Sequence, residues 1–232
     1  QNIIKSAKMR QDFTANVTHE LKTPLTSISG YAELIESGMT GEKETRRFAK
    51  EIHRNAKRLI RLINDILQLS ELDTRETVLE TERLNLYGMA ATCVEMLKIN
   101  AEPNRVKMGI KGRVAWIEGN RSMIEELLYN LCSNAIRYNK PNGLVELLVT
   151  ETEEGILLKV ADTGIGIPKQ HQEHIFERFY RVDKSRSKER GGTGLGLAIV
   201  KHIVAEHNAQ ISLESEEGVG TTISILFPKI NS

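Results

Sequence analysis

No run of about 18 or more apolar residues occurs in the 232-residue chain, which excludes a membrane-spanning helix within it. No charged-then-apolar leader opens it either, and it begins at Gln1 rather than Met, so any sensory or membrane part of the parent protein is expected upstream. Cysteine is nearly missing. Cys93 and Cys132 stand far apart without metal-ligand spacing, which fits a reducing, cytoplasmic setting and predicts two core thiols rather than a disulfide framework. An excess of charge of either sign is also lacking: 32 Lys and Arg against 31 Asp and Glu leave a net charge of +1. The chain therefore exerts no global pull on nucleic acid or an anionic membrane, and any phosphate chemistry must come from local arrangement. Five prolines, 40% hydrophobic and 27% charged residues are the balance of a folded chain, not a disordered one.

The apolar rhythm changes once. From residue 1 to about 72 apolar residues recur at helical spacing, interrupted only around Ser37, Gly38, Met39, Thr40 and Gly41, which predicts a helical hairpin. In its second arm Phe48, Ile52, Leu59, Ile63, Ile66 and Leu69 fall three, four or seven apart, a seam opposite the charged Lys50, Arg54, Lys57, Arg58 and Arg61. Two helices bury little by themselves, whereas two hairpins make a four-helix bundle, so a homodimer is predicted; packing of the hairpin on the rest of its own chain is the alternative. From about residue 81 short β-rich runs at 106–110, 114–118, 145–150, 156–161, 211–214 and 221–227 alternate with helical stretches at 86–100, 121–138 and 196–207. That pattern predicts an α/β sandwich, one mixed sheet covered by helices. A polar segment at 73–80 marks the hinge, giving domains of 1–76 and 77–232.

Four stretches carry chemistry. His19, Glu20, Leu21, Lys22, Thr23, Pro24 and Leu25 lie inside the first helix. Pro24 removes a backbone donor and should bend the helix, pushing the imidazole outward. A nucleophile, an acidic neighbour and a hydroxyl one turn away are then together, although a lone helical histidine is more often a plain surface residue. In the second stretch Asn130, Asn134 and Arg137 fall at i, i+4 and i+7, two amides suited to Mg²⁺ and a guanidinium suited to phosphate; a solvated polar face is the alternative. Third, Asp162, Thr163, Gly164, Ile165, Gly166, Ile167 and Pro168 follow a strand, where a carboxylate can accept a hydrogen bond from an amine such as that of adenine. Fourth, Gly191, Gly192, Thr193, Gly194, Leu195, Gly196 and Leu197 open the last helix, a site for a triphosphate on free amides, without the lysine of a P-loop. Between the glycine motifs, Phe176 to Arg181 and a basic run from Lys184 to Arg190 read as a lid or as a plain solvated loop. His171 and His174 form an H-x-x-H without a third ligand at zinc-like spacing, and read as surface positions.

In this order and at these separations the motifs resemble those of the sensor histidine kinases over nearly the whole chain. The resemblance implies a dimerisation and histidine-phosphotransfer hairpin followed by a Bergerat-type ATP-binding domain, with ATP and Mg²⁺ as cofactors and the receiver domain of a response regulator as partner. His19 corresponds to the phosphoacceptor, Glu20 to its base, and Thr23 to the position that orients water for removing phosphate from the regulator. Asn134 matches the Mg²⁺ ligand, with Asn130 close by, Arg137 near the phosphates and Tyr138 against the nucleotide. Asp162 matches the adenine-reading carboxylate, with Gly164, Gly166 and Ile167 in its loop. Tyr180, Arg181 and Lys184 belong to the lid, and Gly192, Thr193, Gly194, Leu195, Gly196 and Leu197 to the phosphate-binding turn. Gly119-Asn120 departs from the Gly-Asp of many relatives, but asparagine serves equally as a helix N-cap. Two other classes share part of the pattern: ATPase machines such as gyrase and the related chaperones, which lack the histidine hairpin, and a nucleotide-binding scaffold without phosphate transfer.

Overall fold

The computed structural model describes residues 2–74, 80–183 and 192–230. The expected hinge core at 75–79, Lys184, the basic run that follows it and Gly191 lie outside the described residues. The described chain forms two compact units, one holding the hairpin through Asp73, the other starting at Thr74 and holding the α/β elements.

The hairpin consists of α1 (Asn2–Glu36) and α2 (Glu42–Thr74). Helix α1 runs without a break through Pro24, and around the proline hydroxyls turn back on the preceding turn: Thr23 Oγ1 donates to the His19 carbonyl at 3.1 Å, Thr26 to Lys22 at 2.9 Å and Ser27 to Thr23 at 3.2 Å. The interior holds Phe48, Leu62 and Leu69 of α2, with Tyr31 of α1 stacked on Phe48 at 5.2 Å. Within one copy, Ile63 of the seam is 42% exposed while the adjacent Leu62 is buried, because successive residues stand about 100° apart around a helix. One reading of the α2 pattern needs correction. Arg58, placed on the charged face, is buried; its position four before Leu62 belongs to the inward row.

The second unit begins with β1 (Glu82–Asn85), α3 (Leu86–Ala101), β2 (Lys107–Gly112) and β3 (Trp116–Gly119). After them come α4 (Arg121–Arg137), β4 (Leu144–Glu151), β5 (Gly155–Asp162), α5 (Gly196–Glu206), β6 (Gln210–Glu216) and β7 (Gly220–Pro228). The main sheet runs β2-β4-β5-β7-β6, parallel at β2–β4 and antiparallel elsewhere. Alternation along the strands buries Val145, Leu147 and Val149 of β4, Ile156, Leu158 and Val160 of β5, and Ile223, Ile225 and Phe227 of β7 against the helices, each fully buried side chain contributing about 1.5–3 kcal/mol. The expectation of one sheet is corrected in one respect: β3 pairs with β1 in a separate two-stranded ladder. Its four residues are too short to span the main sheet, and β1, with sequence Glu-Arg-Leu-Asn, gives almost no β-propensity signal.

Helix starts follow local chemistry. Asn120 Oδ1 accepts the Met123 N–H at 3.2 Å, the N-cap expected from the sequence, and Asn85 does the same for Gly88 at 3.0 Å. Cys93 of α3 and Cys132 of α4 are buried, free and hydrogen-bonded to one another, which with burial pushes the Cys132 thiol up. Sequence separation concealed that proximity.

Candidate functional sites

In the hairpin, His19 is exposed while Glu20, which follows it, is engaged inward. Glu20 points across to α2, where Arg58 Nη2 donates to Glu20 Oε2 at 2.8 Å. Successive helical residues diverge, so the exposure of His19 and the inward turn of Glu20 follow from one geometry. Thr23, half-buried, spends its hydroxyl proton on the His19 carbonyl, leaving it the lone pairs of an acceptor. Ile28, Tyr31 and Ile35 are half-buried on the same helix.

In the α/β unit, α4 buries Ile124, Leu127, Leu128, Leu131 and Ile136 and leaves Asn130, Asn134, Arg137 and Tyr138 half-exposed on the other face. Arg137 Nη1 donates to Asn134 Oδ1 at 3.3 Å. The loop after β5 docks on the end of this helix: the Ile165 N–H donates to the Tyr138 carbonyl at 3.0 Å, and a Cβ on Gly164 would collide with that carbonyl. Asp162 ends β5 half-buried, its Oδ1 accepting the Gly164 N–H at 2.7 Å. Burial pushes its carboxyl up, opposed by hydrogen bonds from the Gly164 and Thr221 backbones. The rest of the loop is pinned to the β6–β7 hairpin: Ile167 N–H to Ser215 Oγ at 2.9 Å and Gly218 N–H to the Ile165 carbonyl at 2.7 Å. Gly166 has φ +67° with the Glu216 carbonyl where a Cβ would sit.

The other glycine motif meets the same helix. A Cβ on Gly196 would lie 2.7 Å from Asn130 Oδ1, so the first turn of α5 approaches that amide as closely as backbone allows. Leu195 is buried and provides no side-chain cap, and the start of a helix is the end at which backbone amides favour an anion. Gly194 adopts φ +79°, its carbonyl accepts the Phe179 N–H at 2.8 Å, and Arg181 Nε lies 3.2 Å from the position of its absent Cβ. Tyr180 is held by His171, Oη to Nδ1 2.6 Å, and His174 pairs with Glu177 at 2.7 Å. Gly192 and Thr193, which precede this turn in sequence and group with the hairpin unit, are buried and half-buried, and Leu197 is half-buried.

The fold thus gathers Asn130, Asn134, Arg137, Tyr138, Asp162 and the start of α5 around α4. Residues that sequence reasoning missed lie beneath them. Buried Asn139 donates to the Leu144 carbonyl at 3.0 Å and takes the Thr163 hydroxyl at 3.4 Å, while Thr163 Oγ1 accepts the Leu144 N–H at 2.9 Å. His207 accepts the Asn120 N–H on Nε2 at 3.0 Å and donates from Nδ1 to the Ile203 carbonyl at 2.7 Å. None of these long-range partners was readable beforehand, and the sequence pattern had placed Arg58 on the charged face.

A phosphoacceptor-type histidine hairpin joined to a Bergerat-type ATPase fold is the class this architecture defines. Residues 9–75 match the family model of the His Kinase A (phospho-acceptor) domain, and residues 119–231 match that of the histidine kinase-, DNA gyrase B- and HSP90-like ATPases. The sensor histidine kinase WalK of Bacillus subtilis is 38% identical over 228 residues, 97% of this chain and 37% of that protein. The sensor-like histidine kinase SenX3 of Mycolicibacterium smegmatis is 37% identical over 223 residues, 95% of this chain and 58% of that protein. The chain therefore spans less than two thirds of the length of these curated relatives. In fold it superposes on the histidine kinase ThkA, solved in complex with the response regulator TrrA, with a TM-score of 0.77 at 23% identity, covering 99% of this chain and 66% of that one. The chain belongs to the sensor histidine kinases of two-component systems.

Proposed function

We propose that this chain is the catalytic core of a sensor kinase that transfers the γ-phosphoryl group of ATP to His19 and then to an aspartate of a response regulator. The observation that carries the reading is the solvent exposure of His19 within a hairpin whose adjacent Glu20 is turned inward. Neutral imidazole attacks in line: the new N–P bond forms on Nε2, the bond to ADP breaks, and the Nδ1 proton passes to Glu20. Catalysis on this reading is positioning and charge neutralisation. Asp162 accepts from the adenine amine, the start of α5 with Gly192, Thr193, Gly194 and Gly196 takes the phosphates, and Arg137, Tyr180, Arg181 and Lys184 close on them. The oxygen donors Asn134 and Asn130 suit Mg²⁺, which supplies charge neutralisation when bound. Nucleophile and nucleotide belong to separate domains, 1–76 and 77–232, so their meeting is a docking step about a hinge at 73–80.

Two further parts of the reading rest on the hairpin. Helix α2 carries a second apolar row, Ile60, Ile63 and Leu67, at 59%, 42% and 57% exposure, which together with exposed Leu25 and Leu34 of α1 suits a second copy and a four-helix bundle. Below His19, Ile28, Tyr31 and Ile35 form the regulator-docking surface, and Thr23 orients the water that removes phosphate from the regulator.

γ-labelled ATP tests the reading. Wild type should acquire acid-labile, base-stable label and His19→Gln none, while alanine at Ile28, Tyr31 and Ile35 should spare labelling and slow transfer to a receiver domain. Hydrolysis of ATP without label on His19 would favour the gyrase-like ATPase class instead.

A further inference from the structure

Arg58 is the one cation of its stretch of α2 that the fold takes out of water. Arg54, Lys57 and Arg61 are exposed, as are His19 and Lys22 on α1 at the same level of the hairpin. Arg58 and Glu20, by contrast, have side chains only 10% and 15% exposed and meet at 2.8 Å across 38 residues of sequence. Burying a guanidinium is tolerated only against a well-placed counter-charge, and an aliphatic residue would fill this inward position at lower cost. A role beyond packing is thus indicated.

The chemistry proposed for His19 supplies that role. A nucleophile activated by a base needs the base itself oriented by a third group, and Glu20, free to rotate about three side-chain bonds, has no orientation of its own. A carboxylate accepts several hydrogen bonds, so the bond from Arg58 does not by itself bar Glu20 from the imidazole N–H of the residue before it. We propose that Arg58 is a positioning residue for autophosphorylation: reaching from α2, it holds the carboxylate of Glu20, the residue that follows His19, in one orientation, from which it serves the imidazole during phosphoryl transfer. The proposal rests on the phosphoacceptor reading of His19.

The experiment measures initial rates of His19 labelling against ATP concentration for the whole chain, with folding checked by circular dichroism. Variants are Arg58→Met, which keeps bulk without charge, Arg58→Lys, which keeps charge without the planar fork, Glu20→Gln, and Glu20→Gln/Arg58→Met. Expected is a fall in kcat of about tenfold or more for Arg58→Met, on the scale of a lost general base, with KM for ATP unchanged and a smaller fall for Arg58→Lys. Because Arg58 acts through Glu20, the double variant should be no slower than Glu20→Gln alone. Wild-type kcat or a faster rate in Arg58→Met overturns the proposal, as does a double variant whose losses multiply. If Arg58→Met does not fold, Arg58→Lys decides: a lower kcat at unchanged KM supports the positioning role and a wild-type kcat overturns it. Wild type that takes no label on His19 overturns the phosphoacceptor reading and this inference together, whereas labelled wild type with an equally fast Arg58→Met overturns the inference alone.

Discussion

Half-buried Asp162 and buried His207 show opposite effects of desolvation. Desolvation raises the Asp162 carboxyl, yet the Gly164 and Thr221 backbones stabilise its charged form, keeping an acceptor available to an amine. Asp162→Asn replaces one charged acceptor with a mixed amide and should weaken ATP binding about 10- to 100-fold, the worth of a hydrogen bond to a charged group, read by titration calorimetry with a non-hydrolysable analogue. His207 is lowered instead, first by desolvation, against the hydrogen bond to Ile203 and the charge of Glu206. Its neutral ring accepts the Asn120 N–H at the start of α4, a job the protonated ring cannot do. Since the folded value lies below the ordinary 6.5, neutral His207 contributes stability that is complete above about pH 6.5 and is lost as the pH falls through the folded value. Thermal melts from pH 8 to pH 5 should therefore show an acid-side decline that His207→Gln flattens; an unchanged slope would remove His207 from the account.

At the scale of elements, α4 is the platform on which the proposed nucleotide site is assembled. Its N-terminus is held by Asn120 and His207, with Gly119 so close that a Cβ would stand 2.8 Å from the His207 ring. Its C-terminus is tied to the loop after β5 through the Tyr138 carbonyl and the Asn139–Thr163 pair. That loop is in turn fastened to the β6–β7 hairpin, and Gly166 is where the fastening leaves no room, at positive φ against the Glu216 carbonyl. Gly166→Ala should destabilise the α/β unit by about 1–3 kcal/mol, lowering its Tm by several degrees in calorimetry. Nucleotide should bind more weakly to the same variant, because Asp162 and the loop are positioned together. A melt unchanged from wild type would show the loop to be free to shift.

For the whole molecule, the second apolar row on α2 bears on assembly. Ile60, Ile63 and Leu67 stand in water in one copy of the chain, and on the proposed bundle they would be buried by another. Ile63→Glu should convert a dimer to a monomer in sedimentation equilibrium, while a monomeric wild type would overturn the bundle. The sequence by itself determined the order of the helices and of the main-sheet strands, the α4 face bearing Asn130, Asn134 and Arg137, the Asn120 cap and the two glycine turns. Each of these depends on periodicity, on a cap or on the special φ of glycine, all written within a few neighbouring residues. Only the tertiary structure decided that Arg58 is buried on Glu20, that Cys93 touches Cys132, that β3 leaves the main sheet for β1, and that Asn139 and Thr163 lock the Asp162 loop. Those partners lie tens of residues apart in most cases, and what joins them is burial, which penalises any charge or polar group left without a partner and so selects pairings that no local pattern records.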